Sequence, residues 1–321
     1  MADATAAPSA LIHVAAGAIA DQSGRILIAK RPDAAHQGGL WEFPGGKLEP
    51  GEQPSEGLAR ELYEELGIRI RGWRPLIRVE HDYGDRRVLL DVYRVDAYSG
   101  VPIGREGQPL AWVVPDRMDP ARFPAADRPI INALRLPSLY LITGDDPADT
   151  EGFVARLVRA LDAGIRFVQL RAHGLSDDDY RRLARRLQPV CRAAGARLVL
   201  NRDPDAVGDL ACDGLHLGSA LLRRLRERPC PATRLVGASC HSSEELRLAE
   251  ELALDYAVLS PVEATLSHPG APTLGWSGFA DLVARAHLPV YALGGLGPAQ
   301  QQRCFAHGGQ GIAAIRGLWP T

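Results

Sequence analysis

The chain has 321 residues, more than one hydrophobic core normally organises, so two domains are expected. Apolar residues make up 46% and charged residues 24%, which excludes disordered, fibrous and membrane-embedded classes. A formal net charge of -2 excludes the basic field that would hold a nucleic-acid polymer and leaves a nucleotide substrate open.

Taken in chain order, the alanine-rich start carries Asp3 where a secretory signal would carry positive charge. Export is therefore not expected, and the chain reads as cytoplasmic. No run of 18 apolar residues occurs, so no membrane helix is expected. Residues 11–20 and 25–30 (RILIAK) are expected as strands joined by Asp21-Gln22-Ser23-Gly24 into a hairpin. After the glycine-rich segment 38–51, the spacing of Leu58, Leu62 and Leu66 predicts a helix over 54–66, with Gly67 capping it. Strands near 76–80, 87–95 and 110–114 and a short helix over 127–135 complete a first unit, residues 1–135.

At Pro137 the pattern changes to short apolar runs alternating with helical windows. Eight strands are expected, over 138–143, 167–171, 197–201, 213–218, 235–240, 256–261, 289–294 and 311–315. That series favours a (β/α)8 barrel over 138–321, with an open doubly wound sheet as the alternative. All five cysteines (Cys191, Cys212, Cys230, Cys240, Cys304) fall in this half without C-x-x-C spacing, which reads as reduced and mostly buried thiols.

The chemistry of the first unit lies in 46–68, GKLEPGEQPSEGLARELYEELGI. Glu61, Glu64 and Glu65 are three and four residues apart, so their carboxylates share one stripe of the helix, beside the leucine stripe. Clustered carboxylates repel unless a cation neutralises them, and an oxygen-only set suits magnesium or manganese. Gly45 and Gly46 would let the backbone approach metal and phosphate closely. A solvated acidic helix face is the competing interpretation, but nine fixed residue types over the 23 positions argue against it.

This segment matches the Nudix box without a departure, and WEFPGGK (41–47) resembles the MutT branch of that family, as do 28–46, REGQP (105–109) and FPAADRPII (123–131). The resemblance implies an α/β/α sandwich with a mixed sheet and Mg2+-dependent hydrolysis of a nucleoside triphosphate of the 8-oxo-dGTP kind to the monophosphate and pyrophosphate. It further implies a metal held by Gly45, Glu61, Glu64, Glu65 and Glu106, with Arg60 orienting the carboxylates. Mn2+ fits the same ligands. Glu61, Glu64 and Glu106 all stand as candidates for the base. The positions resembling base and nucleotide contacts are Arg31, His36, Phe43, Asp85, Arg86 and Asp127. The MutT pattern has asparagine where Asp127 stands. An ionised aspartate only accepts hydrogen bonds, whereas a protonated one also donates; a helix N-cap before Arg128-Pro129 is the alternative role.

The second half resembles thiamine phosphate synthase and its TenI relatives through 164–171, 198–203, 213–218, 236–246, 255–265 and 290–297. The resemblance implies a barrel ligand such as a thiamine-related phosphate, with Gln169, Arg171, Asn201 and Ser239 as contacts. Gly294, Gly295, Gly297 and Gly317 follow the seventh and eighth strands, where barrels bind phosphate, and also suit tight turns. The synthase pattern has two magnesium-binding acids where this chain has Arg202 and Leu221, and lysines where it has His173 and His268. Nor is the TenI histidine present at Ser260-Pro261. The barrel is accordingly expected to be a divergent ligand-binding or weakly active domain, with thiamine diphosphate hydrolysis or a regulatory thiamine-phosphate module as alternative functions.

Overall fold

The chain packs its apolar residues around two sets of cores, and in the computed structural model it divides into two compact units, Met1–Arg135 and Leu136–Thr321. The structure describes residues 11–144, 148–265, 270 and 272–320; His268 lies outside them.

In the first unit, β1 (Leu11–Ile19), β2 (Ile26–Lys30), β3 (Trp41–Glu42), β4 (Gly45–Lys47), β5 (Arg69–Asp82), β6 (Arg87–Ser99) and β7 (Leu110–Val113) form two sheets. One is mixed and four-stranded, ordered β4-β1-β6-β5; the other is β3-β2-β7. β1 runs parallel to β6 and antiparallel to β4. The expected hairpin of β1 and β2 is therefore corrected. The turn closes through Gly24 N–H to the Asp21 carbonyl and one bridge joins Ala20 to Ile26, after which the strands enter different sheets. Alternation reveals a strand but not its partner, and here each strand is central to its own sheet.

The helix α1 (Pro54–Leu66) begins with proline in its first turn and a Gln53/Glu56 capping box, which satisfy or avoid orphan N–H groups. It ends at Gly67, whose φ of 74° permits the N–H to bond back to Leu62 and Tyr63 carbonyls. Leu58, Leu62 and Leu66 are fully buried with Ala15, Ile19, Leu27 and Val95. At about 1.5–3 kcal/mol per side chain, this stripe fixes the helix's rotation and so the direction of its glutamates. A 3-10 turn, Ala125–Asp127, leads into α2 (Arg128–Arg135).

The second unit is a closed barrel of eight parallel strands: β8 (Leu139–Ile142), β9 (Phe167–Leu170), β10 (Arg197–Leu200), β11 (Gly214–Leu217), β12 (Leu235–Cys240), β13 (Tyr256–Leu259), β14 (Val290–Ala292) and β15 (Gly311–Ala314). The helices α3 (Thr150–Asp162), α4 (Asp177–Ala193), α5 (Pro204–Val207), α6 (Ser219–Leu222), α7 (Ser243–Glu251), α8 (Gly275–Val283) and α9 (Gln301–Ala306) fall between the strands. Tyr140, Phe167, Val199, Tyr256, Val258, Tyr291 and Ala313 fill the interior, so the barrel is a packed core and its chemistry is confined to the strand ends. The open-sheet alternative is set aside by this closure. No helix among the described residues is long and apolar enough to cross a membrane.

Candidate functional site

Arg60 organises the acidic face of α1. Its guanidinium donates from Nε and Nη2 to both oxygens of Glu52 (2.9 and 2.9 Å) and from Nη1 to Glu61 (2.8 Å) and Glu64 (3.2 Å). Hydrogen bonds from Arg60 hold the Glu52 carboxyl down to about 2, so this acid stays ionised and anchors the arginine. Glu65 is different: burial first, then the charges of Glu42, Glu106 and Glu61, push its carboxyl up to about 8. Among the described residues, a hydrogen bond from the Gly45 N–H at 3.2 Å opposes them. Glu106, on an exposed loop, acts on Glu65 through its charge.

The two glycines have separate reasons. Gly45 lies in β4 rather than in a turn, and a Cβ there would sit 2.1 Å from the Ala15 carbonyl oxygen. At Gly46 a Cβ would fall 2.2 Å from the Glu61 carboxyl carbon, so its missing side chain is the space that carboxylate occupies. Among the described residues no three acids, histidines or cysteines are closed into a metal cage; Arg60 and the Gly45 amide hold the carboxylates instead. The donor set nevertheless fits a hard divalent cation. It is all oxygen, and the mutual repulsion that raises Glu65 is what such an ion relieves.

Beside this face lies a cleft of about 240 Å³ whose walls include Arg31, His36, Phe43, Arg86 and Asp127. Asp85 is not in the wall; it pairs with Arg86 at 2.9 Å and stands 3.6 Å from His36. Arg31 donates to the His36 carbonyl at 2.9 Å and forms an ion pair with Glu42. Phe43 is 5% exposed and stacked on Phe123 at 5.8 Å, which makes it a fixed wall. Sequence reasoning missed Glu42 and Tyr83, both lining the cleft. Glu42 sits inside the WEFPGG run already singled out, and the signal was a carboxylate beside Phe43; nothing local marked Tyr83.

Asp127 is 6% exposed, and its Oδ2 has no hydrogen-bond partner among the described residues. Burial, reinforced by the Glu42 charge and opposed by Arg31, pushes its carboxyl up to about 8. That shift favours the protonated form, which carries one O–H donor beside its acceptor oxygen, in a residue that lines the cleft.

In the barrel, a cavity of about 1160 Å³ is lined by Arg171, Ser239, His241, Gly294, Gly295 and Arg316, among others. The N–H groups of Gly294, Gly295 and Gly317 donate to no acceptor among the described residues. Both turn and phosphate roles persist for these glycines: Gly294 and Gly295 have φ of 110° and 67°, yet a Cβ at Gly297 would meet nothing nearer than 3.7 Å. Gln169 and Asn201 do not line the cavity. Gln169 accepts from the Tyr140 hydroxyl at 2.9 Å, and Asn201 donates to the His216 carbonyl at 2.8 Å. Gln169 is buried in β9, whereas Asn201 follows the end of β10 and is half-buried. His216, driven down to about 3 by burial, bonds Ser239 Oγ at 2.9 Å and so fixes it at the cavity wall.

Comparison with known proteins places the two units separately. A family model described as NUDIX domain matches residues 15–133, and one described as thiamine monophosphate synthase matches 139–318. An 8-oxo-dGTP diphosphatase of Escherichia coli is 36% identical over 124 residues, 39% of this chain and 96% of its own. A CTP pyrophosphohydrolase of the same organism is 37% identical over 123 residues, 38% of this chain and 90% of its own. A putative thiamine-phosphate synthase 2 of Aquifex aeolicus is 33% identical over 182 residues, 57% of this chain and 97% of its own.

Proposed function

The chain belongs to the Nudix family through residues 15–133 and to the thiamine monophosphate synthase family through 139–318, and from that premise we propose that its Nudix unit hydrolyses an oxidised guanine nucleoside triphosphate of the 8-oxo-dGTP kind. The first unit is a pyrophosphohydrolase. The observation that carries the substrate assignment is Asp127, buried in the cleft wall with its Oδ2 unpartnered among the described residues and its carboxyl pushed up to about 8.

Guanine presents O6 and N7 side by side as two acceptors; oxidation at C8 turns N7 into an N–H donor. A neutral carboxyl meets that new edge with both atoms, donating O–H to O6 and accepting N7–H on the other oxygen. Against unmodified guanine the second oxygen faces a lone pair. An unmatched buried polar pair costs about 1–3 kcal/mol, or roughly ten- to a hundredfold in selection. Phe43, backed by Phe123, walls the pocket, and Arg31, ion-paired with Glu42, lies beside it.

Glu61, Glu64 and Glu65, with Glu106 and the Gly45 carbonyl, would hold the divalent ion, for which Mg2+ is proposed. Bound there, the ion supplies neutralisation of triphosphate oxygens and acidification of a water. Arg60 keeps Glu61 and Glu64 in place. Glu61, Glu64 and Glu106 remain equivalent candidates for the base.

The relative named for CTP gives a second substrate class to test, and thiamine diphosphate a third. The test is steady-state pyrophosphate release with magnesium from 8-oxo-dGTP and dGTP, and turnover of CTP and thiamine diphosphate, on the full chain and on Glu64→Gln. The proposal requires the highest kcat/KM for 8-oxo-dGTP and a drop of about a hundredfold or more in Glu64→Gln. A higher kcat/KM for CTP or thiamine diphosphate overturns it. For the barrel, the reading is a binding domain for a thiamine-related phosphate, supported by the arginines and unpaired amides of its cavity. Thiamine monophosphate at about 100 times its Kd should stabilise that unit by about 2.7 kcal/mol.

A further inference from the structure

The ends of β10 and β11 are where the synthase pattern places two magnesium-binding acids, and the residues found there do not fit a cation. Arg202 is fastened elsewhere. Its Nε donates to Asp177 Oδ1 at 2.9 Å, its Nη2 to the Leu175 carbonyl, and its guanidinium lies 4.8 Å from the Tyr180 ring centre. These partners belong to the start of α4 and the loop before it, so the arginine does not enter the cavity as a stand-in charge. The next acid along, Asp203, is exposed and caps α5 by accepting the Asp205 N–H at 3.1 Å. Leu221, in α6, packs on the apolar cluster that includes Leu217, Leu222 and Val236.

The cavity's own charges have the opposite sign. Its described lining contains no aspartate or glutamate and two arginines, Arg171 and Arg316. Arg316 and Gly317 follow β15, and Gly294 and Gly295 follow β14, so the unpaired amides and one guanidinium come from the last two strands of the barrel. Fixed amide dipoles and arginines recognise phosphate oxygens directly. They repel a free divalent ion.

We infer that the barrel binds an organic phosphate monoester without a divalent cation, its phosphate charge met by arginines and backbone amides alone. This rests on the reading above that the barrel takes a phosphorylated ligand. The site is matched to one phosphate group. A departing diphosphate, which needs more neutralisation than these groups supply, is not served, so the cavity retains its ligand instead of condensing two substrates.

The experiment is isothermal titration of the full chain with thiamine monophosphate, once in excess EDTA and once in excess magnesium chloride. It is repeated on Arg316→Ala, and in EDTA with inorganic phosphate as competitor. The expected result is a Kd equal within about twofold in the two media, weakened about thirtyfold by Arg316→Ala, with phosphate displacing the ligand. Binding tighter in magnesium by about tenfold or more, and dependent on Arg316, overturns cation independence while leaving the phosphorylated-ligand reading standing. Absence of binding in both media, or binding that neither Arg316→Ala nor phosphate weakens, overturns that reading and the inference with it. The phosphate competition needs no variant and decides the matter if Arg316→Ala does not fold.

Discussion

Replacing Asp127 by asparagine should change the stability of the Nudix unit in a pH-dependent way. In the folded chain burial and Glu42 raise this carboxyl from 3.8 to about 8. Below about pH 4 both folded and unfolded chains carry it protonated, and it adds no pH dependence. As pH rises past that point the unfolded chain ionises while the folded one does not, so folding loses stability continuously until about pH 8. Above about pH 8 both forms are ionised and the loss stays constant. Four decades of proton affinity at about 1.4 kcal/mol each set the ceiling at about 6 kcal/mol. Asparagine has nearly the same shape and does not titrate. Its buried amide adds a constant cost and leaves the slope unchanged. The assay is urea unfolding of the wild-type chain and Asp127→Asn across about pH 4 to 9, following the Nudix unit's transition. The difference curve should climb in favour of the variant through this range and flatten above about pH 8. A flat difference curve would refute the burial argument and with it a neutral Asp127.

Other changes separate chemistry from folding. Gly46→Ala should push the Glu61 carboxylate from its place, because the new Cβ would fall 2.2 Å from it; kcat/KM should drop about a hundredfold with little change in Tm, since the displaced group is a side-chain end. Leu62→Ala removes a fully buried anchor of α1 and should cost about 2–5 kcal/mol of stability, read by denaturant midpoint. Asp255→Ala removes the carboxylate paired with Arg228, whose side chain is 13% exposed and keeps only backbone carbonyl acceptors among the described residues, and should destabilise the barrel by about 3–5 kcal/mol in the same assay.

Much of this architecture was legible because periodicity and capping are local. The leucines of α1 and Gly67 mark a helix on their own, and the eight apolar runs of the barrel announce parallel strands buried on both faces. Pairing is not local. β1 and β2 read as a hairpin from turn chemistry, yet the long parallel ladder of β1 with β6 depends on residues 76 positions away. β5 extends to Arg69, beyond the apolar stretch at 76–80, because its first half is an exposed face dense in arginine. Orientation and burial were equally hidden. The Nudix spacing marks Glu61, Glu64 and Glu65, but nothing in it shows that Gly46 makes room for one of them. Asp127 could be placed as a departure from the MutT pattern; only the structure shows its Oδ2 buried without a partner. Gln169 and Asn201 illustrate the converse. Their motifs resemble ligand contacts, while the structure engages Gln169 with the Tyr140 hydroxyl and Asn201 with the His216 carbonyl.

The most direct test is the ratio of kcat/KM for 8-oxo-dGTP to that for dGTP at neutral pH, in the wild-type chain and in Asp127→Ala. A wild-type ratio of about ten or more that collapses toward one in the variant is the predicted result. A ratio near one in the wild type, or a high ratio that survives loss of the carboxyl, would contradict recognition of the oxidised base by Asp127.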